Sequence, residues 1–219
     1  ARLERHYERA RRIVSTEEVW VRSFTREMRA YGSPRWLEFE HRVEWAAGEA
    51  GGVPVVTVRR DLRSVDGRKP TQEDLEACLT PESIDEDPLS ALLPARQGEF
   101  EFSLSGMESV SGRQVAQLAY VPLAAGPAEI TWEDGCVSLS LPGRSRGEVW
   151  VDVATGDVLR LDERLMRRFE FREPQDRPRR HWGPLALERS ESSTRYERVT
   201  FDDPEETFML PRSLESSWP

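Results

Sequence analysis

Long hydrophobic runs are missing from this sequence. A helix that crosses a bilayer needs about 20 consecutive apolar residues, and no stretch of this chain, in which 32% of the residues are charged, approaches that length. We therefore expect a protein that does not span a membrane. Lysine is also scarce, since 30 of the 31 basic residues are arginines. The codon bias of a GC-rich genome explains this excess, and the alternative is arginine chosen for bidentate contacts with anions.

Motifs for metal binding are missing as well, and no motif for nucleophilic catalysis has its usual context. The three histidines, His6, His41 and His181, have no second histidine or cysteine at a metal-ligand spacing. Ser145 lies in a G-x-S-x-G sequence, Gly143–Gly147, but this sequence stands between the strand-like segments 137–141 and 147–161, whereas a nucleophile elbow joins a strand to a helix. We expect no catalytic residue, no metal and no cofactor, and therefore not an enzyme. The alternative is a glycosidase-like pair drawn from the 40 aspartates and glutamates.

Basic residues are outnumbered by acidic ones, which gives the chain a net charge of −9. A protein that binds nucleic acid needs a cationic face for the backbone phosphates, so this balance argues against nucleic acid as a partner. A core is still available, because the chain contains seven tryptophans, eight phenylalanines and four tyrosines.

Cysteine is scarce, with Cys78 and Cys136 as the two in the chain. The sequence begins with Ala1 instead of Met, which fits an exported protein trimmed after a small-residue cleavage site. In an oxidising compartment the two cysteines can form one disulfide. The alternative is two separate buried thiols that pack as small hydrophobic residues.

The clearest pattern in the chain is strand-like alternation in Gly147–Leu161. Val149, Val151 and Val153 alternate with other residue types, Ala154–Asp157 then break the pattern, and apolar residues resume after the break. Alternation on both sides of a short glycine-containing turn predicts an antiparallel hairpin.

Similar strand signals recur about every ten residues. The predicted strands cover 16–31, 36–45, 53–61, 99–106, 110–122, 130–132, 137–141, 147–161 with an extension through Phe169 and Phe171, 187–201 and 207–218. For 16–31 a helix with Ser15 and Glu18 as a capping box is the alternative. We prefer a strand there, because Val19, Trp20 and Val21 favour extended backbone.

Helix signals are few and lie early in the chain. Apolar residues of 2–14 fall on one stripe at helical spacing. Thr71 caps a short predicted helix that Pro81 ends, and 80–98 is predicted to be a connector. Many strands with a few helices on one side predict an α+β fold, which we place in a single domain over 1–219.

Three short motifs resemble a known family. Ser111–Val115 reads SGRQV, Gly147–Leu161 has the form G-x-x-W-V-D-x-x-T-G-x-V-L-R-L, and a Leu210-Pro211-x-Ser213 sequence lies near the end. Together they resemble the bacterial lipoprotein-localisation superfamily, which includes LolA, LolB and the N-terminal domain of the envelope-stress regulator RseB. The resemblance lies mainly in 99–171.

This resemblance implies a large curved antiparallel sheet, an unclosed half-barrel, wrapped over a few helices. It also implies periplasmic residence, no catalysis and an apolar cavity for an acyl chain, a lipid or a lipoprotein. We therefore expect a non-enzymatic binding module for a hydrophobic ligand in the bacterial envelope. The alternative is a regulatory domain that grips an envelope partner protein, as RseB does in its family.

Large apolar side chains that could line such a cavity are the candidate ligand-binding residues. They are Trp20, Phe24, Trp36, Phe39, Trp45, Phe100, Phe102, Leu159, Phe169 and Phe171. The alternative is that they fill the core, as aromatic residues at strand spacing commonly do. A further candidate is the RPRRHW sequence of 177–182, whose arginines could bind a phosphate or a lipid headgroup unless nearby acidic residues neutralise a solvated loop.

Overall fold

The computed structural model describes residues 12–25, 29–46, 55–75, 89–133, 136–172, 185–202 and 205–217. Strands make up 72% of these residues and helical turns 6%. The strands are β1 (Arg12–Phe24), β2 (Ala30–Ala46), β3 (Val55–Val65), β4 (Phe100–Val110), β5 (Arg113–Pro122), β6 (Glu129–Glu133), β7 (Cys136–Ser140), β8 (Ser145–Asp152), β9 (Val158–Leu165), β10 (Phe169–Phe171), β11 (Leu185–Leu187), β12 (Glu191–Asp202) and β13 (Glu205–Ser217). The helical turns are α1 (Gln72–Leu75), η1 (Ser90–Leu92) and η2 (Gln97–Glu99).

The expected α+β class, a curved sheet wrapped over helices, is wrong: the described part of the chain is mostly β, in several unclosed sheets. The helix predicted over 2–14 gives way to β1 from Arg12 onward, because Arg12, Ile13 and Val14 each pair with a residue of β2. The rest of that segment lies outside the described residues. Of the helix predicted after Thr71, the four residues of α1 are described.

The chain divides into two compact units. The first contains residues 1–100 and 126–142, and the second contains 101–125 and 143–219.

In the first unit, β1, β2 and β3 form an antiparallel sheet in that order. Leu37, Phe39 and Val65 are fully buried on one face, with Val19 and Val21 packed against them. Each such side chain contributes roughly 1.5–3 kcal/mol when it is fully buried. The strand predicted over 16–31 is confirmed as far as Phe24, where β1 ends, whereas Ala30 and Tyr31 belong to β2. A second hairpin, β6–β7, also belongs to this unit.

In the second unit, six strands follow the order β13-β12-β9-β8-β5-β4. The hairpin predicted in Gly147–Leu161 is confirmed as β8 and β9. The predicted extension through Phe169 and Phe171 is wrong, because β9 ends at Leu165 and those two residues form β10, which pairs with β11.

A glycine allows the closest packing in this six-stranded sheet. Gly147 lies opposite Tyr120, and a Cβ added to Gly147 would fall 2.2 Å from the Tyr120 ring. Tyr120 is fully buried, and its hydroxyl donates to Glu163 Oε1 at 2.7 Å. The ring therefore covers a position that no larger residue can occupy.

Candidate functional site

The β1–β2 hairpin brings two of the predicted aromatic residues into contact. Trp20 and Trp36 are directly opposite each other, and their rings stack with centroids 5.8 Å apart and planes 8° apart. Because neighbouring strand residues point to opposite faces, this pair lies on the face away from Leu37 and Val19. Trp20 is 67% exposed, so the core does not use this ring.

The hairpin continues beyond the tryptophans to two more exposed aromatic side chains. Phe24 is 47% exposed and Tyr31 is 56% exposed. A register shift separates them from the tryptophan pair, and Gly32 adopts a φ of +70° there. The backbone N–H of Thr25 donates to the Arg29 carbonyl at 2.8 Å and holds the two strands together near the tip. We call Trp20, Phe24, Tyr31 and Trp36 the aromatic hairpin end.

The base of the aromatic hairpin end is fixed by a turn after β3. Asp66, whose φ is +50°, accepts a hydrogen bond from the Trp36 N–H at 2.8 Å and another from Arg35 Nε at 3.0 Å. The Asp66 N–H in turn donates to the Trp36 carbonyl at 2.7 Å. These contacts support the backbone of β2 at Trp36, whose ring stacks on Trp20.

A buried carboxylate completes that support. Asp74 of α1 is 5% exposed and accepts hydrogen bonds from Arg35, from Arg68 and from the N–H and hydroxyl of Thr71. The Arg68 guanidinium and the Thr71 donors hold the pKa of Asp74 far below its usual range. The side chain is fully occupied in holding this corner together.

The face of this sheet that carries Leu37 and Phe39 also has three polar side chains beside the core. Glu17 and Arg60 form an ion pair at 2.8 Å, and His41 lies on the same face. Burial lowers the pKa of His41, while Glu17 opposes this shift. Phe39, a candidate for ligand contact, is fully buried on this face as part of the core.

An open groove of about 560 Å³ in the first unit is lined by Arg42, Arg59, Arg60, Asp61, Leu62, Arg63 and Leu75. Its arginines are paired with carboxylates. Arg63 and Arg42 both bind Glu40 and lower the pKa of that carboxylate, and Arg59 binds Asp61 at 3.1 Å. This groove is a charged strand surface, unlike the apolar cavity that we expected.

The remaining aromatic candidates are dispersed. Phe100, Phe102, Leu159, Phe169 and Phe171 are all half-buried. The ring of Phe102 lies 5.8 Å from Tyr120, and Phe169 stacks on Phe171 at 6.1 Å. Trp45 is on β2, but its side chain lies outside the described residues, as does the whole of 177–182.

The second unit also contains buried carboxylates, and these hold the β8–β9 turn. Asp152 accepts from the N–H groups of Ala154 and Thr155, at 2.9 and 3.0 Å. Asp157 accepts from the Thr155 hydroxyl at 2.9 Å and from Arg198 Nε at 3.1 Å. Both carboxylates therefore stabilise the turn that joins β8 to β9.

Cys136 is disulfide-bonded, and the chain has one other cysteine, Cys78, which lies outside the described residues. Within the described ranges, no cluster of histidine, cysteine and carboxylate side chains has the geometry of a metal site. No helix in those ranges is both long and apolar enough to cross a membrane.

Sequence reasoning missed three exposed residues of the β1–β2 hairpin. Tyr31 adds an exposed ring, and Arg22 and Arg29 are exposed cations beside the aromatic side chains. A signal was present, because 19–36 contains four arginines and one glutamate in a chain of net charge −9.

Comparison with known proteins adds no relative, because no family model, curated protein or solved structure matches this chain.

Proposed function

We propose that the protein is a non-enzymatic binding module for a hydrophobic ligand, an acyl chain, a lipid or a lipoprotein, in the bacterial envelope. The observation that carries the proposal is the exposure of Trp20, Phe24 and Tyr31 at one end of the β1–β2 hairpin, which Asp66 holds at Trp36. Several apolar side chains that stay exposed at one end of a folded element commonly mark an interaction site. Here they lie on both faces of the hairpin, because Tyr31 pairs with Ser23, the neighbour of Phe24. The engagement of Asp74, Asp152 and Asp157 in local structure supports the non-enzymatic part.

The disulfide at Cys136 supports an exported location. Disulfides form and persist in oxidising compartments such as the periplasm and are rare in the cytosol. The resemblance of 99–171 to lipoprotein-localisation proteins points in the same direction and stays a prediction.

Binding of a fluorescent fatty-acid probe tests this proposal. We expect saturable binding by the wild type and at least tenfold weaker binding by the double variant Trp20→Ala, Phe24→Ala, because each ring supplies apolar contact area on the order of 150–250 Å². Leu104→Ala is the matched control, since Leu104 is an exposed apolar residue of β4 in the other unit. Absence of binding, or equal binding by the double variant, would contradict the proposal.

A specific observation favours the second candidate, a domain that grips a partner protein. β4 lies at one edge of the six-stranded sheet and exposes Leu104, Met107 and Val110. A partner strand can pair with such an edge. The opposite edge, β13, contains Pro211, which cannot donate to an added strand. Capture of one envelope protein by the wild type, lost in Leu104→Lys, Met107→Lys and kept in Arg212→Ala on β13, would favour this candidate.

A further inference from the structure

We propose that the aromatic hairpin end docks on the surface of an anionic lipid bilayer. The inference rests on the proposed function and identifies the hydrophobic ligand as lipid in a bilayer. Trp20 and Tyr31 combine an apolar ring with a polar N–H or O–H group, and such side chains favour the boundary between lipid and water. Phe24, between them along the hairpin, supplies a purely apolar ring.

The shape of the hairpin end favours a bilayer over a single lipid molecule. Pockets for small ligands commonly bury 70–90% or more of the ligand, whereas these rings lie on open strand surfaces. A single acyl chain can bind to such a surface but keeps part of its area in water. The hydrocarbon region of a bilayer is itself apolar, so the rings can leave water without a protein pocket around the lipid.

The charge of the hairpin end selects an anionic surface. Residues 19–36 carry a net charge of +3, from four arginines and one glutamate. Arg35 is bound to Asp66 and Asp74, but Arg22 and Arg29 are exposed and form no ion pair with the described residues. Each arginine near an anionic lipid surface strengthens binding about fivefold at low salt.

Two glutamates limit how far the hairpin can approach such a surface. Glu18 and Glu38 lie opposite each other, two residues from Trp20 and Trp36 on the same face. An anionic headgroup layer repels them, so contact stops at the tryptophan pair. Between Trp20 and Phe24 the strand rises about 13 Å, which is enough to reach through a headgroup layer.

The test is co-sedimentation of the intact protein with vesicles of phosphatidylglycerol and phosphatidylethanolamine, compared with vesicles of phosphatidylcholine. We expect binding to the anionic vesicles that weakens with added salt, about 25-fold weaker binding for Arg22→Gln, Arg29→Gln, and at least tenfold weaker binding for Trp20→Ala, Phe24→Ala. The matched control is Phe201→Ala, which removes an exposed ring from the acidic end of the β12–β13 hairpin and should leave binding unchanged.

The inference is overturned if the wild type does not bind anionic vesicles, or if the arginine variant binds them as tightly as the wild type does. Because Arg22 and Arg29 are exposed, that variant should fold even if the aromatic variant does not. Probe binding without vesicle binding would remove the docking inference and leave the proposed function standing. Vesicle binding through the hairpin without probe binding would support the docking inference and contradict the proposed function.

Discussion

Two long hairpins of this protein share a plan and differ in charge. β1–β2 has strands of 13 and 17 residues, and β12–β13 has strands of 12 and 13. Both end in exposed aromatic rings, Phe24 and Tyr31 in the first and Phe201 in the second. The first end is cationic, whereas 199–208 contains four acidic residues and no basic one.

Both hairpins are also anchored in the same way. Arg35 of β2 binds the buried Asp74, and Arg198 of β12 binds the buried Asp157. In each case the carboxylate comes from a neighbouring turn or helix and the arginine from the hairpin. The support is therefore common to both, and the difference that matters for an anionic partner is the charge at the tip.

The largest expected effect comes from breaking the sheet that contains the second hairpin. Gly147→Val should lower the free energy of unfolding by about 3 kcal/mol, because the new side chain overlaps the buried Tyr120 ring. Urea denaturation measures this. Gly106→Ala is the control, since a Cβ there meets only Gln117 Oε1 at 3.6 Å. Equal stability of the two variants would show that Tyr120 can move aside.

The second largest effect concerns the anchor of the β12–β13 hairpin. Asp157→Ala removes the acceptor for Arg198 and for the Thr155 hydroxyl, and we expect a loss of about 2 kcal/mol in denaturation experiments. Glu197→Ala, which disrupts an exposed pair with Arg212 on the same hairpin, should change stability by less than about 0.5 kcal/mol. If Asp157→Ala does not lower stability, the hairpin does not need this anchor.

The corresponding anchor of the first hairpin should make stability depend on acid pH. Because folding lowers the pKa of Asp74 from its ordinary value of 3.8, the stabilisation is complete above that pH and is lost as the pH falls below it. Asp74→Asn should lower the melting temperature at neutral pH and flatten its decline in acid. Glu44→Gln, at an exposed pair with Arg12, serves as control. An unchanged acid profile in Asp74→Asn would refute the assignment.

The smallest effect tests the charge difference itself. Asp202 and Glu205 lie directly opposite each other, and like charges in such a pair are destabilising. Glu205→Arg should raise the free energy of unfolding by about 0.5 kcal/mol. If charge is what separates the two hairpin ends, Glu205→Arg, Glu206→Arg should also gain affinity for anionic vesicles. A gain in stability without any gain in vesicle binding would indicate that the arrangement of rings matters more.

The strands were predictable where alternation was regular and a turn was marked. The alternation of Val149 and Val151, followed by the break at Ala154–Asp157, predicted β8 and the turn after it. The separation of β9 from β10 was not predictable. Phe169 pairs with Leu187, a contact across a distant part of the chain that local alternation does not encode.

The candidate site was predictable in residue type but not in role. Trp20 and Phe39 are large aromatic residues of the same hairpin, yet one is 67% exposed and the other fully buried. A shift of one residue in strand pairing would exchange the faces. The role inferred for the exposed cations Arg22 and Arg29 depends on the exposed rings of the same hairpin. Strand pairing decides which rings those are.

Composition and alternation by themselves determined that this chain forms antiparallel hairpins, that it has aromatic residues to bury and that the end of its first hairpin is cationic, because these are local properties of the chain. Tertiary structure alone decided the division into two units, the burial of Asp74 and Asp157, and the choice of which aromatic rings remain at the surface. The physical reason is that burial depends on pairing register and on partners far away in sequence, such as Arg35 for Asp74 and Arg198 for Asp157.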